Sequence, residues 1–312
     1  MIQINPEADA FLLDHVVDGS PLLPTVMQLD LVARELLALA ADQGTEQSAG
    51  MHLRDIRVGP PVRFSPPGTR QLELRCAPDP FAPPGNAATR CELRSPGYDA
   101  PHLTAVAVAE PGGAPAQRVP APDGWAADLR CGPDLVYPPY FHGPAFRVVG
   151  AFGRAGAGLA AALAPGLPPL GWGNGPTVLR PRLLELLMQC CGLHELADTG
   201  RMMIPDGIEA AHWHPGSLAP NPENTAHEGT AHENSAVTVV VPRPRRHERD
   251  RVFDGQVATP DGTPLLTVTG YRTVDLGRPA DLAHAGRLTR CLASHCDPVP
   301  APPAGTAVSE GV

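Results

Sequence analysis

His15 stands among Leu12, Leu13, Val16 and Val17, a single ionisable ring in an apolar stretch of a 312-residue chain. Desolvation and one chosen partner set the pKa of an imidazole in such a wall, and a general base is made this way. A core histidine satisfied by a backbone carbonyl has the same local sequence, so both readings stand on this stretch alone. Gly19 and Pro24 follow it in the spacing H-x3-G-x4-P. Far along the chain, Glu185 and Gln189 lie four residues apart within LRPRLLELLMQCCGLHELA. On a helix that spacing puts both on one face, where the amide can hydrogen-bond the carboxyl and hold its rotamer. A solvated polar face of an ordinary helix is the plainer account. Between these two regions lies YPPYFHGPAF. Its His142 is a second imidazole, Gly143-Pro144 allows a tight backbone approach, and Tyr140 and Phe146 could wall a channel.

The elements that must position these groups can be read in outline. The segment 11–23 reads as a short apolar strand carrying His15, a turn at Asp18-Gly19 and a second short run. Pro24 then opens a helix to about Ala41, with Val26, Leu29, Ala33, Leu36, Leu37 and Ala40 on one face. Strand-like runs at 51–64, 69–77, 87–94 and 102–109 are bounded by Pro/Gly clusters. Residues 110–134 are rich in Pro, Gly and Ala and read as a linker. The order then repeats. A strand-like region at 145–163 leads through a Gly/Pro-rich loop into a helix over 180–197, followed by strands at 201–214, 235–241, 251–259 and 264–275, the last two joined by Asp261-Gly262. The fold class expected is α+β, two units of one helix wrapped by an antiparallel sheet.

Composition excludes several classes. A net charge of -9 argues against a general nucleic-acid-binding surface, and no apolar run approaches bilayer length. With neither a basic n-region nor an apolar h-region at the N-terminus, a cytoplasmic protein is expected. Seven cysteines without C-x2-C spacing read as reduced thiols, not as a disulfide framework or a metal site. His227 and His232, in TAHEGTAHE, are five apart, which does not match zinc spacing on a helix, and they read as an exposed loop. Arg243, Arg245, Arg246, Arg249 and Arg251 form a local basic run, a solvated hairpin or a dock for an acidic partner. His212, Trp213 and His214 read as structural strand residues.

Taken together, His15, Gly19 and Pro24 resemble the active-site motif of dehydratase domains of polyketide and polyunsaturated fatty acid synthases. In that family the second catalytic residue is an Asp in a D-x3-Q or D-x3-H pattern after a proline. Here Pro181 precedes, Gln189 is in register, and Glu185 stands where the Asp is expected. The longer arm keeps the carboxyl and resembles discrete bacterial hotdog dehydratases, which carry Glu at that place. The segment His142-Gly143-Pro144-Ala145-Phe146 resembles the family's Y-G-P-x-F, with histidine for tyrosine as in the polyunsaturated branch.

The resemblance implies a double hotdog: a first unit at 1–112, a linker at 113–134, a second unit at 135–280 and a disordered tail at 281–312. It also implies removal of water from a 3-hydroxyacyl thioester carried on the phosphopantetheine of an acyl carrier protein. His15 would be the base, and Glu185 the acid, held protonated by its apolar surroundings. His142 would be a supporting donor and the runner-up base. A backbone N–H near Gly19 or Gly143, or at a helix N-terminus, would meet the developing oxyanion. No cofactor, metal, membrane or nucleic acid is implied. The partners implied are a carrier protein or synthase module and a second copy of the chain. Met1 and the loose tail favour a free-standing protein over a synthase fragment. A non-catalytic carrier-binding or scaffold domain, and an enoyl isomerase or cyclase, are the alternatives.

Overall fold

Residues 1–42, 50–65, 68–83, 87–108, 129–215, 217–218, 235–244, 251–279 and 281–293 are described by the computed structural model. Strand β1 (Ile2–Ile4) opens the chain, and a two-residue hairpin follows, β2 (Val16–Val17) against β3 (Ser20–Pro21). Its turn residues Asp18 and Gly19 have φ of 52° and 74°. Two positive φ values in a two-residue turn match the twist of the flanking strands, and Asp-Gly reaches them easily.

The expected strand around His15 is corrected. Ala10–Asp14 is a 3-10 turn ending at His15. A repeat near three buries Phe11 and Leu12 and leaves Leu13 61% exposed. Asp9 anchors the turn, its carboxylate accepting the N–H groups of Asn5 and Gly173.

Helix α1 (Thr25–Asp42) starts after Pro24, whose carbonyl accepts the N–H groups of Met27 and Gln28. Strands β4 (Met51–Val58), β5 (Arg70–Pro78), β6 (Ala88–Arg94) and β7 (Leu103–Val108) follow. After the linker come β8 (Val149–Ala155), β9 (Gly158–Leu163) and the small hairpin β10 (Gly171–Trp172) with β11 (Gly175–Pro176). Helix α2 (Pro181–Thr199) has proline in its first turn, and Gly200 at φ 66° closes its end. Strands β12 (Arg201–Trp213), β13 (Val237–Pro242), β14 (Arg251–Ala258) and β15 (Pro264–Pro279) complete the sheet, and α3 (Leu282–Ala293) follows.

Eleven strands form one sheet in the order β1-β5-β6-β7-β4-β12-β15-β14-β13-β9-β8. Strands of the first half sit on one side and those of the second on the other, joined where β4 pairs antiparallel with β12 from Arg57↔Gly207 to Met51↔Trp213. Helix α1 packs on β5, β6 and β7, and α2 on β8, β9 and β12–β15, with the two helices in contact. Asp30 of α1 fastens the halves. Fully buried, it accepts Trp172 Nε1–H at 2.7 Å and the N–H groups of Val178 and Leu179 at 2.7 and 2.8 Å, which positions the approach to α2.

Three further expectations change. Cys131 exchanges both backbone hydrogen bonds with Phe152, so the end of the expected linker belongs to the second half's sheet. The expected disordered tail begins with helix α3, whose Leu288 and Leu292 are buried and whose His284 bonds Leu135 O at 2.8 Å. Among the cysteines, Cys76–Cys91 and Cys131–Cys291 are disulfides rather than reduced thiols, while Cys190 and Cys191 are free and buried. Register places Cys76 opposite Cys91 on neighbouring strands, and α3 carries Cys291 back to Cys131.

His227, His232, Arg245, Arg246 and Arg249 lie outside the described residues. Arg243 is engaged by Asp254 and Glu209, and Arg251 by Glu195 and Asp198, so these two are committed to intramolecular ion pairs. His214 bonds Thr267 Oγ1 at 2.9 Å and stacks on His212. No helix among the described residues is long and apolar enough to cross a membrane.

Candidate active site

His15 is held by its own hairpin. Its backbone carbonyl accepts Leu22 N–H at 2.9 Å, and its Nδ1 lies 3.1 Å from Leu22 O. A carbonyl can only accept, so Nδ1 carries the hydrogen and Nε2 keeps the lone pair. Phe141 and Phe146 meet the ring edge-on at 5.0 and 5.8 Å between centroids. Burial, and then the neighbouring His142, push its pKa down to about 4, against smaller opposing pulls from Glu185 and the Leu22 carbonyl. At neutral pH this ring is uncharged.

His142 arrives from the other half, and Asp14 is what brings it. The Asp14 carbonyl accepts Gly143 N–H at 2.7 Å, and its carboxylate accepts Ala145 N–H at 2.9 Å. Gly143 is needed because a Cβ there would collide with Asp14. Pro144 opens the short 3-10 turn that follows, and Arg147 Nε donates to His142 O at 3.0 Å. His15 and His142 thereby form an isolated antiparallel bridge, with rings 5.6 Å apart. Of the backbone donors expected for an oxyanion near Gly19, near Gly143 or at a helix N-terminus, the Gly143 N–H is already taken by the Asp14 carbonyl.

Glu185, on the second turn of α2, is 6% exposed. Its Oε1 accepts Gln189 Nε2–H at 2.7 Å and lies 3.2 Å from His142 Nε2. The same Gln189 amide donates to Phe146 O at 2.8 Å, and its oxygen accepts Tyr137 O–H at 3.1 Å. Tyr137 in turn accepts Val149 N–H at 2.7 Å. Every bond in this chain fixes the next, so the carboxyl has one rotamer. Burial, the largest influence, raises the Glu185 pKa, but the hydrogen bond and electrostatic pull of His142, a smaller pull from the His15 ring and the Gln189 amide together hold it below the ordinary value. That corrects the expectation of a carboxyl kept protonated by its apolar surroundings: the surroundings include two imidazoles.

His15, His142, Glu185 and Gln189 all line one cavity of about 230 Å³, with Tyr140 and Met188 in its wall. Gly192 on α2 leaves room for Tyr140, since a Cβ there would meet its hydroxyl. Phe146, expected to line the channel, is fully buried behind His15 against Phe11 instead. Gly19 acts through the hairpin turn and Pro24 through the start of α1, and neither reaches the cavity. Sequence reasoning gave no part to Asp14 or Tyr137. An acidic residue next to the histidine was the one available signal for the first, and there was none for the second. No cluster of three or more His, Cys, Asp or Glu suited to a metal occurs among the described residues.

No family model and no curated protein matches this chain. Solved structures do. The dehydratase domain of PpsC from Mycobacterium tuberculosis, in complex with C12:1-CoA, superposes with a TM-score of 0.64 at 18% identity, covering 88% of this chain and 92% of that one. A trans-AT polyketide synthase dehydratase domain from Brevibacillus brevis gives 0.65 at 17%, with 88% and 92% covered. The fold is the double hotdog of polyketide synthase dehydratase domains. A bifunctional dehydratase-cyclase domain in ambruticin biosynthesis shares it too, at 0.57 and 20% identity over 88% of this chain and 90% of that one. On this double hotdog, the cavity with both imidazoles lies where the two halves meet.

Proposed function

We propose that the chain is a hydro-lyase that removes water from a 3-hydroxyacyl thioester, presented on the phosphopantetheine of an acyl carrier protein, to give a 2,3-enoyl thioester in polyketide or fatty acid biosynthesis. One observation carries this reading: a neutral imidazole from the first half and a hydrogen-bonded carboxyl from the second face one cavity, with His142 between them.

His15 Nε2 takes the proton from C2, and the electron pair released forms the C2–C3 double bond as the C3–O bond breaks. The departing hydroxyl needs a proton. A carboxyl held below its ordinary pKa is a poor sole donor, so the His142–Glu185 pair, sharing one proton between Nε2 and Oε1, supplies it. Asp14 and Gln189 are positioning residues for that pair.

The reaction requires no cofactor or metal beyond the carrier arm. It calls for a carrier protein or synthase module as partner and the cytoplasm as its setting. A homodimer is compatible with it.

A second reading is favoured by the same depressed Glu185 pKa. A carboxylate that stays ionised can move a double bond or assist ring closure, and the solved domain from ambruticin biosynthesis is a bifunctional dehydratase-cyclase on this fold. A carrier-binding domain without chemistry is the third. Incubation with 3-hydroxyacyl carrier thioesters, followed by mass, separates the three. Loss of one water, abolished in His15→Ala, supports the dehydratase. Isomerised or cyclised product supports the second, and carrier binding without turnover the third.

A further inference from the structure

Two residues that line the cavity carry buried polar atoms that the elimination leaves unused. Gln28, at the end of the first turn of α1, is 2% exposed, and its Nε2 donates to Leu23 O at 3.1 Å. That bond identifies which end of the amide is nitrogen, because a carbonyl cannot donate. The other end, Oε1, is buried with no hydrogen-bond partner among the described residues. Across the junction, on β15, Thr273 is 5% exposed and its Oγ1 is also buried without a partner among the described residues. Both residues line the cavity that holds His15 and Glu185, one from each half. Around them the wall is largely apolar, with Val58, Met188, Met202 and Ile204. A buried polar atom left unpaired is costly, and native structures seldom leave one without a use. A cavity built only for a plain alkyl chain would have leucine and valine at these two places.

We infer that this pocket reads a hydrogen-bond donor on its ligand through Gln28 Oε1, with the Thr273 hydroxyl as a second polar contact. The inference rests on the pocket taking an acyl thioester. The donor is an O–H or N–H, and two parts of such a ligand carry one: an oxygenated acyl chain, through a hydroxyl, and the pantetheine arm, through its amides. A ligand that brings the donor completes the bond that Gln28 lacks. One without it leaves Oε1 buried and unpaired, and sites of this kind discriminate far more strongly than apolar ones.

The test uses binding of unreactive thioether analogues, so that it does not depend on turnover. Acyl chains with and without an added hydroxyl are each joined to full pantetheine and to a short thiol lacking the amides. Affinities are measured calorimetrically for the wild type, Gln28→Met and Thr273→Val. We expect the wild type to prefer a donor-bearing ligand by tenfold or more, Gln28→Met to abolish that preference, and Thr273→Val to reduce it severalfold. A preference that follows the acyl hydroxyl places the donor on the chain, and one that follows the amides places it on the arm. Either supports the inference. Gln28→Met weakening all ligands equally, or none, overturns it. If Gln28→Met fails to fold, the near-isosteric Thr273→Val decides, and equal affinities in that variant and the wild type overturn the inference. Selective binding without water loss in the wild type would remove the dehydratase and leave this inference standing.

Discussion

The two long helices occupy corresponding places in the two halves, yet they are enclosed very differently. Fourteen of the nineteen residues of α2 are buried, Glu185, Gln189, His194 and Glu195 among them. In α1 the buried residues run only from Val26 to Ala33, eight of eighteen, and the rest of the helix is partly or fully exposed. The difference shows where each kind of catalytic group can be kept. A buried carboxyl needs every neighbour fixed, and a helix wrapped on all sides provides that through Gln189, Tyr137 and Phe146 O. The base needs only one bond to set its tautomer, so a hairpin outside α1 suffices for His15.

The sharpest way to break this comparison is to remove one group from each half. His15→Ala and Glu185→Gln should each lower kcat/KM for water loss by about 10²–10⁴-fold, the range of general acid–base contributions. Both variants should keep the wild-type melting curve to within a few degrees. If one of them retains more than a tenth of the activity, the chemistry belongs to a single half and the pairing across the cavity is incidental.

A smaller effect tests how the halves are fastened. Asp30→Ala leaves three donors without an acceptor, Trp172 Nε1–H and the N–H groups of Val178 and Leu179, in a fully buried site. Urea unfolding should show a loss of about 3 kcal/mol, since unmade buried bonds cost about 1–3 kcal/mol each and relaxation recovers part. An unchanged midpoint would mean that α1 and the approach to α2 are held by apolar packing alone.

Smaller again is the contribution of α3. Replacing Cys131 and Cys291 by serine should cost about 2 kcal/mol in the oxidised protein, at the low end for a native disulfide because α3 also packs through Leu288 and Leu292. The rate of water loss should be unaltered, since neither cysteine lines the cavity. A fall in rate would tie α3 to the positioning of α2, which it touches.

What the sequence showed, and what it hid, follow the same contrast. Helix α1 was legible from its one-sided apolar spacing. Helix α2 is buried nearly all round, and Pro181 together with Glu185-x3-Gln189 marked it instead. The 3-10 turn at Ala10–Asp14 has the residue pattern of a strand, because repeats of two and three cannot be told apart over five residues. Asp14 and Tyr137 act on groups 131 and 52 residues away, at Ala145 and Gln189, through contacts that only the fold creates. Asp30 left one faint trace, an acid flanked by Leu29 and Leu31 on the apolar helix. The disulfides left none, because strand register and the return of α3 decide which cysteines meet. The expectation of a protonated Glu185 counts its burial but not the opposing pull of the two imidazoles that the resemblance itself brings to the site.

The smallest expected effect is a rate that does not change. An imidazole at its ordinary pKa of about 6.5 would lose roughly tenfold in base-catalysed rate between about pH 7.5 and 5.5. Burial and the neighbouring His142 hold His15 at about 4, so kcat/KM should stay within about twofold over that interval and fall only as pH drops toward 4, where the lone pair on Nε2 is lost. Stability should behave differently across the same window. Unfolded His15 takes its proton near 6.5 and folded His15 only near 4, so the unfolded state binds more protons and the folded state loses ground as pH falls between them. Glu185, held below its ordinary value by His142, adds a loss of the same sign at lower pH. A flat rate over a declining melting temperature would therefore mark His15 as a desolvated base. A rate that bends near pH 6.5 would show an imidazole open to water, and the cavity between the two halves would have to be wetter than its walls suggest.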